Sequence, residues 1–218
     1  MAADAHWVAL LKATVDGAPA SRFADATPAL VEHARSSVLG RRMLALRLQQ
    51  EAPALFGLPG AANESAWIEQ HASALFSGER LRGAALDLGA LAFSPALRAR
   101  VERSEVLRLR EAVGAARLSF ALSTDPWRGG LPDAVRHCAL AGLARVLHDA
   151  EAISELVRQR GRIELFTYAS AQHPLFGERV ALAFPPAAAG ERRDIWLPAA
   201  TVAHYLDAAG ESAAGAHL

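Results

Sequence analysis

Three times in this chain a side chain able to cap a helix stands directly before a proline: Thr27-Pro28, Ser94-Pro95 and Asp125-Pro126. The cap accepts a hydrogen bond from a backbone N–H that the first helical turn leaves orphaned. The proline gives up only an N–H that would have had no partner anyway. Each pair predicts a helix start. Asn63 before ESAWIEQHASALF and Ser104 before EVLRLREAV read as two further caps. A chain punctuated this way is constrained to be mainly α, a compact multi-helix domain.

The apolar spacing agrees. Val106, Leu109, Val113, Ala116 and Phe120 recur at steps of 3, 4, 3 and 4, which is one stripe of an amphipathic helix. Leu107, Leu118 and Leu122 lie on another side, so that helix is expected to be buried on more than one face. Gly114 in its middle costs about 1 kcal/mol relative to alanine, a cost that close helix packing would explain. A second stripe runs Val135, Ala139, Leu143, Val146, Ala150, Ile153, Val157, as one long helix or two with a bend near Asp149, and is expected to stop at Gly161. Segments near 28–51, 64–77 and 79–92 also read as helices.

The last third changes character. Arg162–Tyr168 and Glu178–Phe184 read as strands, because Val180, Leu182 and Phe184 alternate with smaller residues. Asp194–Leu197 reads as a third short strand, which together would make a small β-hairpin against the helical body. A closing helix is expected over 199–208. The organisation expected is one mostly helical domain over 1–208, with 1–60 as a candidate subdomain and 209–218 as a flexible tail.

A chain of 218 residues can bury roughly 70% of the surface it exposes unfolded. With 23 basic and 23 acidic residues it has no global field to collect nucleic acid or acidic lipid. All the basic residues but Lys12 are arginine, a bias attributable to a GC-rich bacterial genome. The single cysteine, Cys138, allows no internal disulfide and fits a reducing cytosol. The start, MAADAHWVALLKATVDG, lacks the basic opening of a signal peptide. Apolar runs stay short of the roughly 18 residues that cross a bilayer. A cytoplasmic protein is the expectation.

No motif for chemistry emerges. Walker, Gly-x-Gly-x-x-Gly, Gly-x-Ser-x-Gly and His-Glu-x-x-His patterns are absent. No two histidines stand at i, i+3 or i+4, so no helical metal face is expected. His137 and Cys138 are adjacent and would diverge by about 100° on a helix, so an inert, buried thiol is expected. The pairs Glu151/Glu155 and Glu102/Glu105 sit among arginines and read as helix-surface ion pairs. Residues 98–117 hold six arginines against three glutamates, and Arg103, Arg110 and Arg117 recur every seven residues. This strip is either a contact for an acidic partner or a solvated flank whose stems cover the core. Trp67 is expected in the core. Trp127, in the loop Thr124–Gly130, is either an exposed interface anchor or folded back onto the body.

The block Leu88–Val101, LGALAFSPALRARV, then Ser104–Leu122, SEVLRLREAVGAARLSFAL, then Pro126-Trp127, resembles the SctK (YscK-like) family of type III secretion systems. The family pattern is a Leu-Gly pair, a short Leu/Arg helix, a longer helix and a Pro-Trp loop. Glu178–Pro186, ERVALAFPP, is similar to a segment near that family's C-terminus. The likeness covers about 86–128 and 178–186. It implies an α-helical virulence-associated adaptor at the cytoplasmic side of the secretion machine, peripheral to the inner membrane. Such a protein joins SctQ-type pods of the sorting platform to the cytoplasmic domain of the SctD-type inner-membrane ring protein, with neither cofactor nor catalysis. The family marks no contact residues. Arg103, Arg110, Arg117 and Trp127 are candidate partner-binding residues on physical grounds alone.

Two other classes compete. A helical nucleic-acid-binding or regulatory protein would use the strip 98–117, against the balanced charge. An enzyme would assemble its site from distant residues such as His137, Glu164 and His173. A type III chaperone is a near relative of the adaptor reading, but those are usually smaller, acidic dimers.

Overall fold

The structure, a computed structural model, describes residues 2–23, 25–56, 77–127, 130–186 and 194–214. Among them are twelve α-helices and no strand: α1 (Ala2–Gly17), α2 (Pro28–Arg35), α3 (Val38–Gln49), α4 (Pro53–Phe56), α5 (Gly78–Ala92), α6 (Ser94–Arg98), α7 (Arg103–Val113), α8 (Ala115–Ser123), α9 (Asp133–Val146), α10 (Ala150–Gln172), α11 (Pro174–Leu182) and α12 (Ala199–Ala214). The protein is mainly α. Asn63 and Trp67, with the helix expected from 64, lie outside the described residues.

Two compact units divide the chain: 1–82 with 168–192 and 206–218, and 83–167 with 193–205. In the first, α2 packs on α3, α3 on α1, and α4 on α11. Its core gathers Leu10, Val15, Val31, Leu48, Leu55, Leu175 and Val180. In the second, α6 packs on α8 and α9, and α7 on α8. Phe93, Leu97, Leu109, Val113, Leu143, Ile153 and Val157 centre its core.

Capping explains several of the helix ends. Thr27 accepts from the Leu30 N–H at 3.3 Å, with Pro28 in the first turn, as the sequence predicts. Asp149 Oδ1 accepts from the N–H groups of Glu151 at 2.9 Å and Ala152 at 3.3 Å, so the stripe from Val135 is two helices with a break at 147–149. The other proline pairs behave differently. Ser94 lies inside the first turn of α6, whose N-cap is Phe93. Asp125 Oδ1 accepts from the Trp127 N–H at 3.1 Å, a local turn that starts no helix. Glu102, not Ser104, occupies the N-cap of α7.

The three expected strands are not formed. Arg162–Tyr168 belongs to α10, where Val157, Arg160, Gly161, Glu164 and Leu165 are buried at helical steps. Gly161 ends nothing. A methyl group on it would stand 1.6 Å from the Ala85 carbonyl oxygen, and one on Gly89 2.0 Å from that of Val157. The two glycines let α5 and α10 touch backbone to backbone. Glu178–Leu182 is in α11, buried on nearly every side by Leu175, Phe176, Arg179, Val180 and Leu182. A short apolar run of that kind has no period by which to tell strand from buried helix. Asp194–Leu197 is irregular chain.

The helix expected through 104–122 is also two. Gly114 adopts φ +90° and ψ 145°, a conformation L side chains rarely take, and separates α7 from α8. A methyl group there would meet nothing within 4 Å, so the glycine serves the bend and not close packing. Of the first stripe Leu109 and Val113 are buried; of the three residues expected to bury a second side only Leu118 is, whereas Leu107 and Leu122 face solvent.

Candidate protein interfaces

The arginines of 98–117 do not form one cationic strip. Arg98 donates from Nη2 to the carbonyl of Thr124 at 2.6 Å and of Ala121 at 3.4 Å, and from Nε to that of Leu122 at 3.3 Å, closing the end of α8. Arg108 donates to the Leu147 carbonyl at 2.7 Å, past the end of α9. Arg100 lies 3.7 Å from Glu105, and Arg117 Nε donates to Asp87 Oδ1 at 2.7 Å. The phenol of Tyr205 donates to the other Asp87 oxygen. Burial, reinforced by the Asp87 hydrogen bond, raises the Tyr205 pKa.

Arg103 and Arg110 remain. Both are exposed on α7, and neither side chain has a hydrogen bond or ion pair among the described residues. Between them on the same helical face stand Val106 and Leu107, the latter 53% exposed. Arg110 also lines a shallow groove with Ala115, Leu118 and Leu122. Val101, just before α7, is 86% exposed. Arg117 lies past the Gly114 bend, so the seven-residue repeat does not carry it onto this face.

Trp127 is buried at 6% exposure and donates from Nε1 to the Trp196 carbonyl at 3.0 Å. It is a core residue of the second unit, folded back onto the body and not an exposed anchor. Cys138 is exposed, against the expected buried thiol, because α9 turns Val135, Ala139, Gly142 and Leu143 inward.

The residues weighed for an assembled catalytic site are each held by backbone groups, two of them locally. Glu164, wholly buried, accepts from the N–H groups of Trp196 at 2.9 Å and Leu197 at 3.1 Å. Arg160 lies 3.5 Å away and stacks over the Trp196 ring at 4.3 Å. Burial nevertheless raises the Glu164 pKa, outweighing the two N–H donors and the nearby guanidinium. His137 donates from Nδ1 to the Asp133 carbonyl at 2.8 Å. His173 Nδ1 accepts from the Leu175 N–H at 3.3 Å as the N-cap of α11. Among the described residues no three His, Cys, Asp or Glu side chains gather as a metal site would need.

The residues missed by sequence reasoning are on α2 and α3. Leu30, Val38, Leu39, Met43 and Leu46 are large, apolar and exposed, with Val38 at 84%, Leu39 at 70% and Met43 at 62%. A groove of about 400 Å³ between the two helices has buried Phe23, Val31 and Leu44 in its floor and Leu30, Leu39 and Met43 along its walls. The inward side of α3 is Gly40, Leu44 and Leu48. The helix is therefore apolar on both sides, which marks a helix made to be covered on both. That signal stood in the sequence VLGRRMLALRLQ, whose apolar residues do not keep to one stripe.

These features define a mainly α-helical protein of two units, each with an exposed apolar face of its own. No helix among the described residues is long and apolar enough to cross a membrane. The chain matches no family model. It matches no curated protein. No solved structure matches it either.

Proposed function

We propose that this protein is a structural adaptor of a bacterial type III secretion system, linking SctQ-type pods of the cytoplasmic sorting platform to the SctD-type inner-membrane ring protein. The observation that carries the adaptor role is the pair of exposed apolar faces, one on α2 and α3 and the other on α7 and its groove. A protein that joins two partners needs two surfaces, and exposed apolar side chains grouped beside unpaired arginines are what protein interfaces use. The choice of system rests on the resemblance of 86–128 and 178–186 to the SctK family, whose helical character this chain shares. No catalytic step and no cofactor enter this reading. The protein works at the cytoplasmic face of the inner membrane, held there through its partners.

Tagged protein recovered gently from its own bacterium tests this. Mass spectrometry should find a SctQ-type protein and a SctD-type protein with it. Recovery of neither, with nucleic acid or a metabolite in their place, would overturn the assignment.

A further inference from the structure

We infer that the outer face of α7 receives an acidic helix of a partner protein, whose two carboxylates, seven residues apart, meet Arg103 and Arg110 on either side of an apolar contact at Leu107. The inference deepens the adaptor reading and rests on it for the existence of a partner. Arg103 and Arg110 are themselves seven residues apart, so they stand within about 20° of each other round the helix and about 10 Å apart along it. Leu107 lies between them, four residues from the first, and is 53% exposed. Beside Arg110 opens the shallow groove that Ala115, Leu118 and the exposed Leu122 line. All of these residues belong to one unit.

Charge complementarity names the occupant. The other arginines of the stretch are spent inside the unit: Arg98 and Arg108 on backbone carbonyls, Arg100 on Glu105 and Arg117 on Asp87. The side chains of Arg103 and Arg110 have no such partner among the described residues. Arg110 is also the one charged residue in the groove lining. A partner helix laid along α7 repeats its period. An acid–apolar–acid stripe then meets the arginine–leucine–arginine stripe in step. A second copy of this chain, antiparallel about the middle of the row, would set each arginine against the other arginine of the copy, and like charges so placed oppose association. A polyanion, whether nucleic acid or lipid surface, carries its charge continuously. It would lay phosphates across exposed Val101 and Leu107 and against the exposed carboxylates of Glu102 and Glu111, next to the two arginines in the chain. A helix with two placed carboxylates meets the arginines and spares both.

The test uses the full chain and three fluorescent peptides in one helical frame, with glutamate, glutamine or lysine at i and i+7 and leucine between them. The glutamate peptide should bind roughly tenfold tighter than the lysine one, with glutamine between, and the gap should shrink as salt is added. Arg103→Glu with Arg110→Glu should reverse the order, and Leu107→Asp should weaken the glutamate peptide by about tenfold or more. Met43→Asp, in the other unit, should change nothing. All four positions are exposed, and unchanged circular dichroism melting would confirm the fold of each variant. Equal binding of the three peptides, binding of none, an order that survives the charge reversal, or binding lost to Met43→Asp overturns the inference. So does a Leu107-dependent dimer in sedimentation, or Arg103-dependent binding of duplex DNA or phosphatidylglycerol vesicles in place of the peptide. If the secretion partners are missing from the pull-down while the peptide order holds, only the secretion assignment fails. If they are recovered and the α7 variants still bring down both, only the α7 contact fails.

Discussion

Arg98 reaches three carbonyls at the end of α8, and it is not alone in this use. Arg22 donates to the carbonyls of Ala181 at 2.7 Å and Phe184 at 2.9 Å around the end of α11. Arg82 donates to those of Gly17 at 3.2 Å and Ala183 at 3.1 Å, and Arg35 to that of Val15 at 3.3 Å. The last turn of a helix leaves carbonyls without partners and carries partial negative charge, so a forked cation answers both needs. Composition had offered only a genomic explanation for the arginines, because sequence does not show which helix end a distant side chain will meet. Arg98→Lys keeps the charge and loses the fork. It should lower stability by about 1–2 kcal/mol, seen as a melting temperature lower by roughly 2–8 °C in a chain of this size.

Glu164 poses the opposite case, a carboxylate kept where burial disfavours its charge. Its pKa is raised in the folded protein, so the native state binds its proton more readily than the unfolded chain does. Between the two pKa values stability must then fall as pH rises, and it is regained as pH falls. Glu164→Gln removes that titration and sets an NH2 donor against one of the N–H groups of Trp196 and Leu197. The variant should be less stable at neutral pH by about 1–3 kcal/mol. Its deficit relative to the wild type should widen on acidification toward the carboxylate range. Denaturant melts at several pH values measure this, and a gap that narrows on acidification would show that Glu164 is not raised.

At the scale of elements, α9 and α10 were legible through Asp149 because their stripes are long and an aspartate caps the second. Thr27-Pro28 was legible for the same local reason. What failed was punctuation whose meaning is tertiary. Gly114 looked tolerated and is a break, while Gly161 looked like a stop and is a contact. The period of α11 was invisible because nearly all of it is buried. Of the candidate site, Arg103 and Arg110 stood on an accessible face as spaced, but Trp127 and Arg117 were already engaged within the unit. Gly161→Ala tests the contact directly. A methyl group 1.6 Å from the Ala85 carbonyl oxygen cannot be accommodated without moving α5 from α10. The expected loss is about 2–4 kcal/mol in thermal or urea unfolding. Gly114→Ala should cost about 1–2 kcal/mol, through backbone strain alone.

At the scale of the whole molecule, an adaptor differs from a single-partner binding protein in having separable faces. The two apolar faces fall in different units by residue membership, the first with α2 and α3 and the second with α7 and α8. Their chemistry differs as well. The first is an apolar groove whose lining Arg47 and Asp25 pair with each other, and the second is a shallow surface with two arginines flanking Val106 and Leu107. Leu39→Asp with Met43→Asp should abolish one partner's recovery in a pull-down and leave the other's intact. Arg103→Glu with Arg110→Glu should do the reverse. Binding lost to the arginine pair should also weaken with added salt in the wild type, since exposed charges are screened over about 8–10 Å at physiological strength. The apolar groove should be less sensitive. None of the four side chains is buried, so each double variant should keep the wild-type melting temperature within the roughly 0.5 kcal/mol typical of surface changes. If both double variants lost the same partner, the faces would be parts of one interface and the bridging role would fall. If neither lost any, both faces would be idle, and the exposed apolar residues would need another explanation.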